Sequence, residues 1–473
     1  MSIIIPANSA VGGGFEVSNS CRFNSASSDN LTLSGSSGGS TTKFTRSFWL
    51  KKSTLTVQQY LMDNSGETQI FFKLNANDTV TLGIYASSAY STELVGNANV
   101  MRDPSAWYHI VIAVDYTNAT QAYRARIYIN NSEVTSFSTE TRPGNTSTTF
   151  NTFNSSKTHY ISGTSGGSHM FGGYLAEVVH IDGQQLTPSS FGEFDEDSAI
   201  WKPIDVSGLT FGTKGFYLDF EDSSALGNDV SGNNLDYTAN NLAAINQSQD
   251  TCTNNFATMN PIDNYFASSV FSNGNLTVVT NSSARTWNNS TIGLTSGKYY
   301  CEMKSSGVGA GALIGIIATT PNSTTNRSDN NPYAWVYLNG GSLKNDGTTQ
   351  SGTWASWANN DLIGMALDLD NNKIYFSKNG TWQNTGTANP STGTDGFAIT
   401  AVSSLPAGQA GNYFIICSDD STSNNATFNW NFGSPSFAIS SGNADGNGYG
   451  NFEYAVPTGY FAVCTKNISE VLS

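Results

Sequence analysis

Residues 361–380, DLIGMALDLDNNKIYFSKNG, leave the chain little freedom: they specify a β-hairpin. Ile363, Met365, Leu367 and Leu369 alternate with Gly364, Ala366, Asp368 and Asp370, the two-residue period of a strand with one buried face. Asp370, Asn371 and Asn372 supply the turn, because Asp and Asn tolerate left-handed backbone and bond their own chain. Lys373 to Phe376 returns, and Asn379-Gly380 is a second strong turn pair. The first half of the chain holds a similar pattern. Trp107 to Asp115 reads as a strand, and Arg126 to Asn131 returns after an Asn-bearing connection. Two hairpins of one kind predict two β domains in tandem.

The composition agrees with an all-β chain. At 473 residues it is long enough for two or three domains with full cores. Charged residues are 12% of the chain, about half the usual ~25%. Ser, Thr, Asn and the 46 glycines fill polar positions in place of Lys and Glu. Recurrent apolar runs and a small net charge per residue argue against disorder. The net charge of −15, with no basic cluster longer than Lys51-Lys52, argues against nucleic acid and anionic membrane surfaces as partners, both of which need Lys and Arg. Cys21, Cys252, Cys301, Cys417 and Cys464 are scattered, odd in number and without a CxxC pair. They read as small buried residues, not as a zinc site or a disulfide framework. The opening MSIIIPANSA lacks a basic stretch and its apolar run is only Ile3 to Ile5, so no secretory signal is expected. No run approaches the ~20 apolar residues of a membrane-spanning helix.

Strand-like segments follow one another from Cys21 onward. FTRSFWLKK (44–52), AWYHIVIAVD (106–115), ARIYINNSEV (125–134) and MFGGYLAEVVHIDG (170–183), in this order and spacing, resemble the concanavalin-A-like, laminin-G-type jelly roll over about residues 15 to 200. GKYYCEM (297–303), ALIGIIAT (312–319), the 360–380 hairpin and NWNFGSPSF (429–437) resemble the SPRY domain, a bent β-sandwich, over about 265–440. Between them, FYLDFEDSSALGNDVSGNN (216–234) and TNNFATMNP (253–261) resemble a connector of marine-phage tail and virion proteins, and Pro457 to Thr465 resembles the end of the same proteins. The expected organisation is an N-terminal docking arm (1–20), a lectin-like laminin-G-type domain (21–200), a turn-rich connector (201–263), a SPRY-like sandwich (264–440) and a C-terminal tail (441–473).

Catalytic groups are scarce. Concanavalin-A-like folds include laminarinases, and glycoside hydrolysis needs two carboxylates on one sugar bond, ~5–5.5 Å apart for retention. The nearest pattern, Glu193 to Asp197, has no strand alternation. Glu177 and Asp182 are five apart and face opposite sides of a strand, whereas Asp219 and Glu221 could share a face. His109, His159, His169 and His180 show no metal-ligand spacing, and no GxSxG or Walker pattern occurs. The expectation is a protein that is not an enzyme. The laminin-G resemblance implies calcium as the cofactor to weigh, with Asp63, Asp115 and Asp182 as oxygen ligands; turn formation is the other role open to each. For ligand binding, aromatic rings that stack on sugar faces are the better lead. Tyr85, Tyr90, Tyr333, Trp354 and Trp357 lie at strand ends or in loops among Ser, Asn and Gly. The SPRY resemblance implies partner binding by loops at one end of the sandwich, here 322–333 and 347–357.

The reading is a phage virion protein, a tail fibre or surface appendage, that attaches to a host-surface glycan or protein. Other virion proteins are further partners, a homo-oligomer is expected, and neither nucleic acid nor membrane insertion is involved. Its place would be the virion surface, after synthesis in the host cytoplasm. The alternatives are a capsid decoration or joining protein without receptor binding, and a polysaccharide depolymerase.

Overall fold

The Leu362–Asp368 strand pairs antiparallel with Lys373–Lys378, with Met365 opposite Phe376 and Leu367 opposite Ile374, as the alternation predicts. The first strand stops at Asp368 because its carboxylate accepts from the Asn371 backbone and side chain, each at 2.9 Å, while Asn372 takes a left-handed φ of 54°. The computed structural model describes residues 14–34, 38–64, 70–86, 89–98, 100–150, 157–266, 268–318, 328–407 and 409–472. The chain is nearly all β and divides into two units between Asn254 and Asn255.

The described residues of the first unit form two eight-stranded antiparallel sheets. One runs Ser132–Glu133, Ala125–Ile129, Trp107–Asp115, Lys43–Lys52, Gly173–Asp182, Ser20–Phe23, Gln247–Ser248, with Phe216–Leu218 also on Gly173–Asp182. The other runs Phe137–Thr141, Ala89–Gly96, Val80–Ala86, Ile70–Leu74, Gln59–Asn64, His159–Ile161, Asn30–Leu33, Thr238–Asn240. Phe48, Leu50, Ile110 and Ile112 of the first sheet meet Ile70, Phe72, Leu82 and Ile84 of the second in the core, each burial contributing roughly 1.5–3 kcal/mol. The first sheet is covered on its other face too. Val111, Val179 and Ile181 lie under Phe191, Val206 and Phe211, and Trp49 and Trp107 share a cluster with Val17 and Trp201. Such double burial explains why Lys43–Lys52 and Gly173–Asp182 are buried almost throughout.

Residues 201–254, expected as a connector, supply Trp201–Pro203, Phe216–Leu218, Thr238–Asn240 and Gln247–Ser248 to this unit. Lys51 and Asp250 close a buried ion pair at 2.8 Å, each side chain only 1% exposed, and the Trp107 indole donates to the same carboxylate at 3.2 Å. Residues 1–13 of the expected docking arm lie outside the described residues. Val17 is already packed, its N–H donating to Thr253 Oγ1 at 3.1 Å.

The described residues of the second unit form a sandwich of a seven-stranded and a nine-stranded sheet. Ile314, Ile316 and Tyr337 of the former face Met303, Met365 and Phe428 of the latter. The expected C-terminal tail is built into it. Phe461–Ala462 pairs in parallel with Lys298–Gly307, and Thr465–Leu472 forms a short helix. The fully buried Glu302 carboxylate accepts from the Glu453 and Tyr454 N–H groups at 3.0 and 2.9 Å, and also from Tyr300 and Asn431. All five cysteines are buried and none forms a disulfide. No helix among the described residues is long and apolar enough to cross a membrane.

Candidate functional site

The second sheet of the first unit carries a row of aromatic rings on the face away from the core. In Ile70–Leu74 the alternation turns Ile70, Phe72 and Leu74 to the core and leaves Phe71 and Lys73 on the other side. In Val80–Ala86 it leaves Gly83 outward with Tyr85 beyond it. Phe71 stands opposite Gly83, and a Cβ there would meet the Phe71 ring at 2.3 Å; the ring lies across the bare glycine. Tyr85 stands opposite Tyr90 on Ala89–Gly96, with ring centroids 4.0 Å apart and planes at 54°. The row continues from Tyr90 to Phe71 at 6.3 Å, from Phe71 to Tyr60 at 5.4 Å and from Tyr60 to His169 at 5.8 Å.

Tyr60, Tyr85 and Tyr90 are half-buried, His169 is exposed, and Phe71 is covered by its neighbours. Lys73 Nζ lies 5.6 Å above both the Tyr60 and Phe71 rings and donates to Gln58 Oε1 at 3.2 Å. Burial lowers the Lys73 ammonium pKa and Glu93 opposes the shift. Burial, then the hydrogen bond with Tyr85, raises the Tyr90 phenol. The structure thus brings Tyr85 and Tyr90 together and adds Tyr60, Phe71, His169 and Lys73, which sequence reasoning missed. Phe71 and Tyr60 carried one readable signal: Phe71 has the opposite parity to Ile70 and Phe72, and Tyr60 directly precedes the core residues Leu61 and Met62.

The aromatics of the second unit are arranged differently. Trp357 is 2% exposed and packs in the core beside Tyr337, so it offers no stacking surface. Tyr333 and Trp354 are half-buried against the same core. Trp354 contacts Tyr337 and Phe376 at 5.6 and 6.3 Å and donates from its indole to the Ser351 carbonyl. Of the two expected loops, residues 322–327 lie outside the described residues. Residues 347–357 are tied down through Gly347, whose N–H donates to the Asp329 carbonyl at 2.7 Å.

Asp63, Asp115 and Asp182 do not converge, and among the described residues no group of three or more His, Cys, Asp or Glu is placed to hold a metal ion. Asp115 accepts from Thr117 and pairs with Lys43 at 3.2 Å. Asp182 accepts from the Ser40 and Lys214 N–H groups at 2.7 and 3.1 Å. Asp63 is buried beside Arg46 and His159, lining a crevice with no room for water. The first two carboxylates serve turns and an ion pair, the alternative role, and the donor set does not fit calcium.

Two arrangements invite a catalytic reading. Ser47 Oγ lies 2.8 Å from His109 Nε2. The Trp201 indole donates to His109 Nδ1 at 3.0 Å, so Nδ1 is the acceptor and Nε2 carries the proton. A general base at Nε2 needs the reverse tautomer. Burial also holds the imidazole down at about 3, stacked against Trp49. Glu177 is 6% exposed and accepts from the Tyr217 hydroxyl at 2.7 Å. Burial pushes its carboxyl up to about 8; that hydrogen bond opposes the shift, and Asp219, Glu221 and Asp205 add to it. Asp219 accepts from the Glu221 N–H, and Glu193 and Asp195 pair with Lys202 at 3.5 and 3.1 Å. None of these presents two carboxylates to an open cleft.

Residues 25–190 match the concanavalin A-like lectin/glucanases superfamily, and residues 292–412 match the SPRY domain. A concanavalin-A-like segment followed by a SPRY segment is therefore the order along the chain. Among solved structures, the chain is similar to the SPRY domain of human HERC1, at 16% identity and TM-score 0.28, covering 36% of this chain and 96% of that one. It is similar to stonustoxin at 16% identity and TM-score 0.27, covering 37% of this chain and 27% of that one. It is similar to a candidate carbohydrate binding protein from Bacteroides ovatus at 15% identity and TM-score 0.32, covering 48% and 60%. No curated protein matches the chain.

Proposed function

We propose that this chain is a non-catalytic adhesion protein whose first unit binds glycan on the outer face of its second sheet. The observation that carries the reading is the half-buried Tyr85–Tyr90 ring pair, 4.0 Å apart, with half-buried Tyr60 on the same face of the sheet. Half-buried tyrosines present an apolar ring to the CH face of a sugar and a hydroxyl to its polar rim. The concanavalin-A-like match over residues 25–190 supports the reading. The resemblance of 216–234, 253–261 and 457–465 to phage tail and virion proteins supports a place on a phage particle, as a tail fibre or surface appendage facing the host envelope. A homo-oligomer would raise avidity for a repeated surface glycan.

The test has two arms. Antibody against residues 264–440 should label purified particles at a tail or fibre. The whole chain should be retained on host envelope polysaccharide, and Tyr85→Ala or Tyr90→Ala should weaken retention about three- to tenfold, the worth of one ring contact. Unlabelled particles would remove the virion assignment. Capsid labelling without glycan retention would favour the decoration role, and release of reducing sugar would restore the enzyme reading.

A further inference from the structure

We infer that Arg46, His180 and His159 form an acid-sensitive seam between the two sheets of the first unit, which loosens that unit in mild acid while the second unit stays closed. Arg46 on Lys43–Lys52 stands directly opposite His180 on Gly173–Asp182. Phe44, Phe48 and Leu50 point into the core, and Arg46 shares their face of the strand. His159 reaches the same place from the other sheet and lines one crevice with Arg46, Met62 and Phe216. Arg46 is 5%, His159 2% and His180 0% exposed.

The guanidinium donates from Nε to His180 Nδ1 at 3.2 Å and from Nη1 to Met62 Sδ at 3.3 Å. Among the described residues Arg46 forms no ion pair with a carboxylate. Arginine is a donor only and keeps its charge, so His180 Nδ1 has to be a bare acceptor. A proton there would set N–H against N–H and place a buried imidazolium beside a permanent cation. Phe216 and Phe44 hold the His180 ring, with centroids 5.5 and 5.8 Å away. The other titratable groups facing the seam are Asp63, Tyr160 and Tyr237, which line the crevice, with Asp229 acting on Tyr237.

Burial and then Arg46 hold both imidazoles down, His159 at about 3 and His180 well below its ordinary value. Unfolding frees each ring to take a proton below about 6.5, so each histidine costs the folded state about tenfold per pH unit below that value. All four histidines of the chain lie in the first unit. In the second unit burial raises the Glu302 and Asp419 carboxyls, which favours the folded form as pH falls. The seam also adjoins the candidate site, because His159–Ile161 pairs with Gln59–Asn64, the strand of Tyr60.

Hydrogen exchange of the full chain at pH 7 and pH 5, read by mass spectrometry and corrected for the intrinsic rate, measures the opening of each strand. Glu177 gains a proton over the same range and offsets part of the change, so each variant is compared with the natural chain over the same pH step. In His180→Asn the amide oxygen keeps an acceptor for Arg46 and cannot be protonated; His159→Gln removes the second titrating ring. Each should shift the pH 7-to-5 change in Lys43–Lys52 and Gly173–Asp182 toward protection by about ten- to thirtyfold. Should one variant fail to fold, the other carries the same test. Lys298–Gly307 and Leu362–Asp368 of the second unit should open no more at pH 5 than at pH 7. A pH step unchanged in a folded variant would overturn the inference, and so would equal loosening of the two units.

Discussion

Glu177 shows how one buried side chain sets a pH response. It occupies a bulge in the Gly173–Asp182 strand, where the pairing with Lys43–Lys52 shifts between Ala176 and Val179 and Glu177 takes a φ of 50°. The bulge turns it into the apolar layer over the first sheet, where burial raises its carboxyl from 4.5 to about 8. The folded chain therefore holds a proton that the unfolded chain releases between those two values. Its contribution to stability is fully present below about 4.5 and declines as pH rises to about 8, with a slope of up to ~1.4 kcal/mol per pH unit. Urea unfolding between pH 5 and 8 should show this decline in the natural chain and lose it in Glu177→Gln. Identical slopes in the two proteins would show that the carboxyl titrates normally. His109 works in the opposite sense. Its imidazole is held down at about 3, so the stability it contributes is lost as pH falls below its ordinary 6.5.

At the scale of elements, a strand reveals itself where its two faces differ in residue size or polarity. The 362–378 hairpin alternates because Ile363, Met365, Leu367, Ile374 and Phe376 face the core while Ala366 and Tyr375 meet a second, smaller cluster, and its turn residues are Asp and Asn. Its far end is set by Gly380, at φ 78°, where a Cβ would stand 2.7 Å from the Tyr454 ring. Gly380→Ala should cost about 1–3 kcal/mol in urea unfolding. Gly393→Ala, at φ 70° with open space around it, isolates the backbone share, because nothing lies within 4 Å of its Cβ. Equal losses would mean that Tyr454 contributes nothing. The strand-end positions of Tyr85 and Tyr90 were legible because Ser87, Ser88 and Ser91 border them in the sequence. The outward parity of Phe71 was legible too, but only strand register shows that it falls opposite Gly83. Trp357 misled because a loop-like neighbourhood of Ser, Ala and Asn gives no sign that its indole reaches the core.

For the whole molecule, the hard part to read was where each sandwich ends. Phe216–Leu218, Thr238–Asn240 and Gln247–Ser248 are two or three residues long, too short for any period to show, so the turns between them resemble a linker. Their partners lie far away in sequence: Asn240 faces Asn30, Gln247 faces Cys21, and Asp250 neutralises Lys51. A fragment ending at residue 200 leaves Lys51 buried without that partner, a loss of about 3–5 kcal/mol, and uncovers Trp49 and Trp107 where Trp201 and Cys252 had packed. The same holds for the second unit cut at residue 440, which strips the Glu453 and Tyr454 donors from buried Glu302. Such losses consume much of the stability of a domain, roughly 5–15 kcal/mol. Fragments 14–254 and 255–472 should therefore each give one cooperative thermal transition, and fragments 21–200 and 264–440 should give none or aggregate. A sharp transition in 21–200 would show that the 201–254 segment decorates a sandwich complete without it, and Asp250→Ala in the full chain would then cost well under 3 kcal/mol.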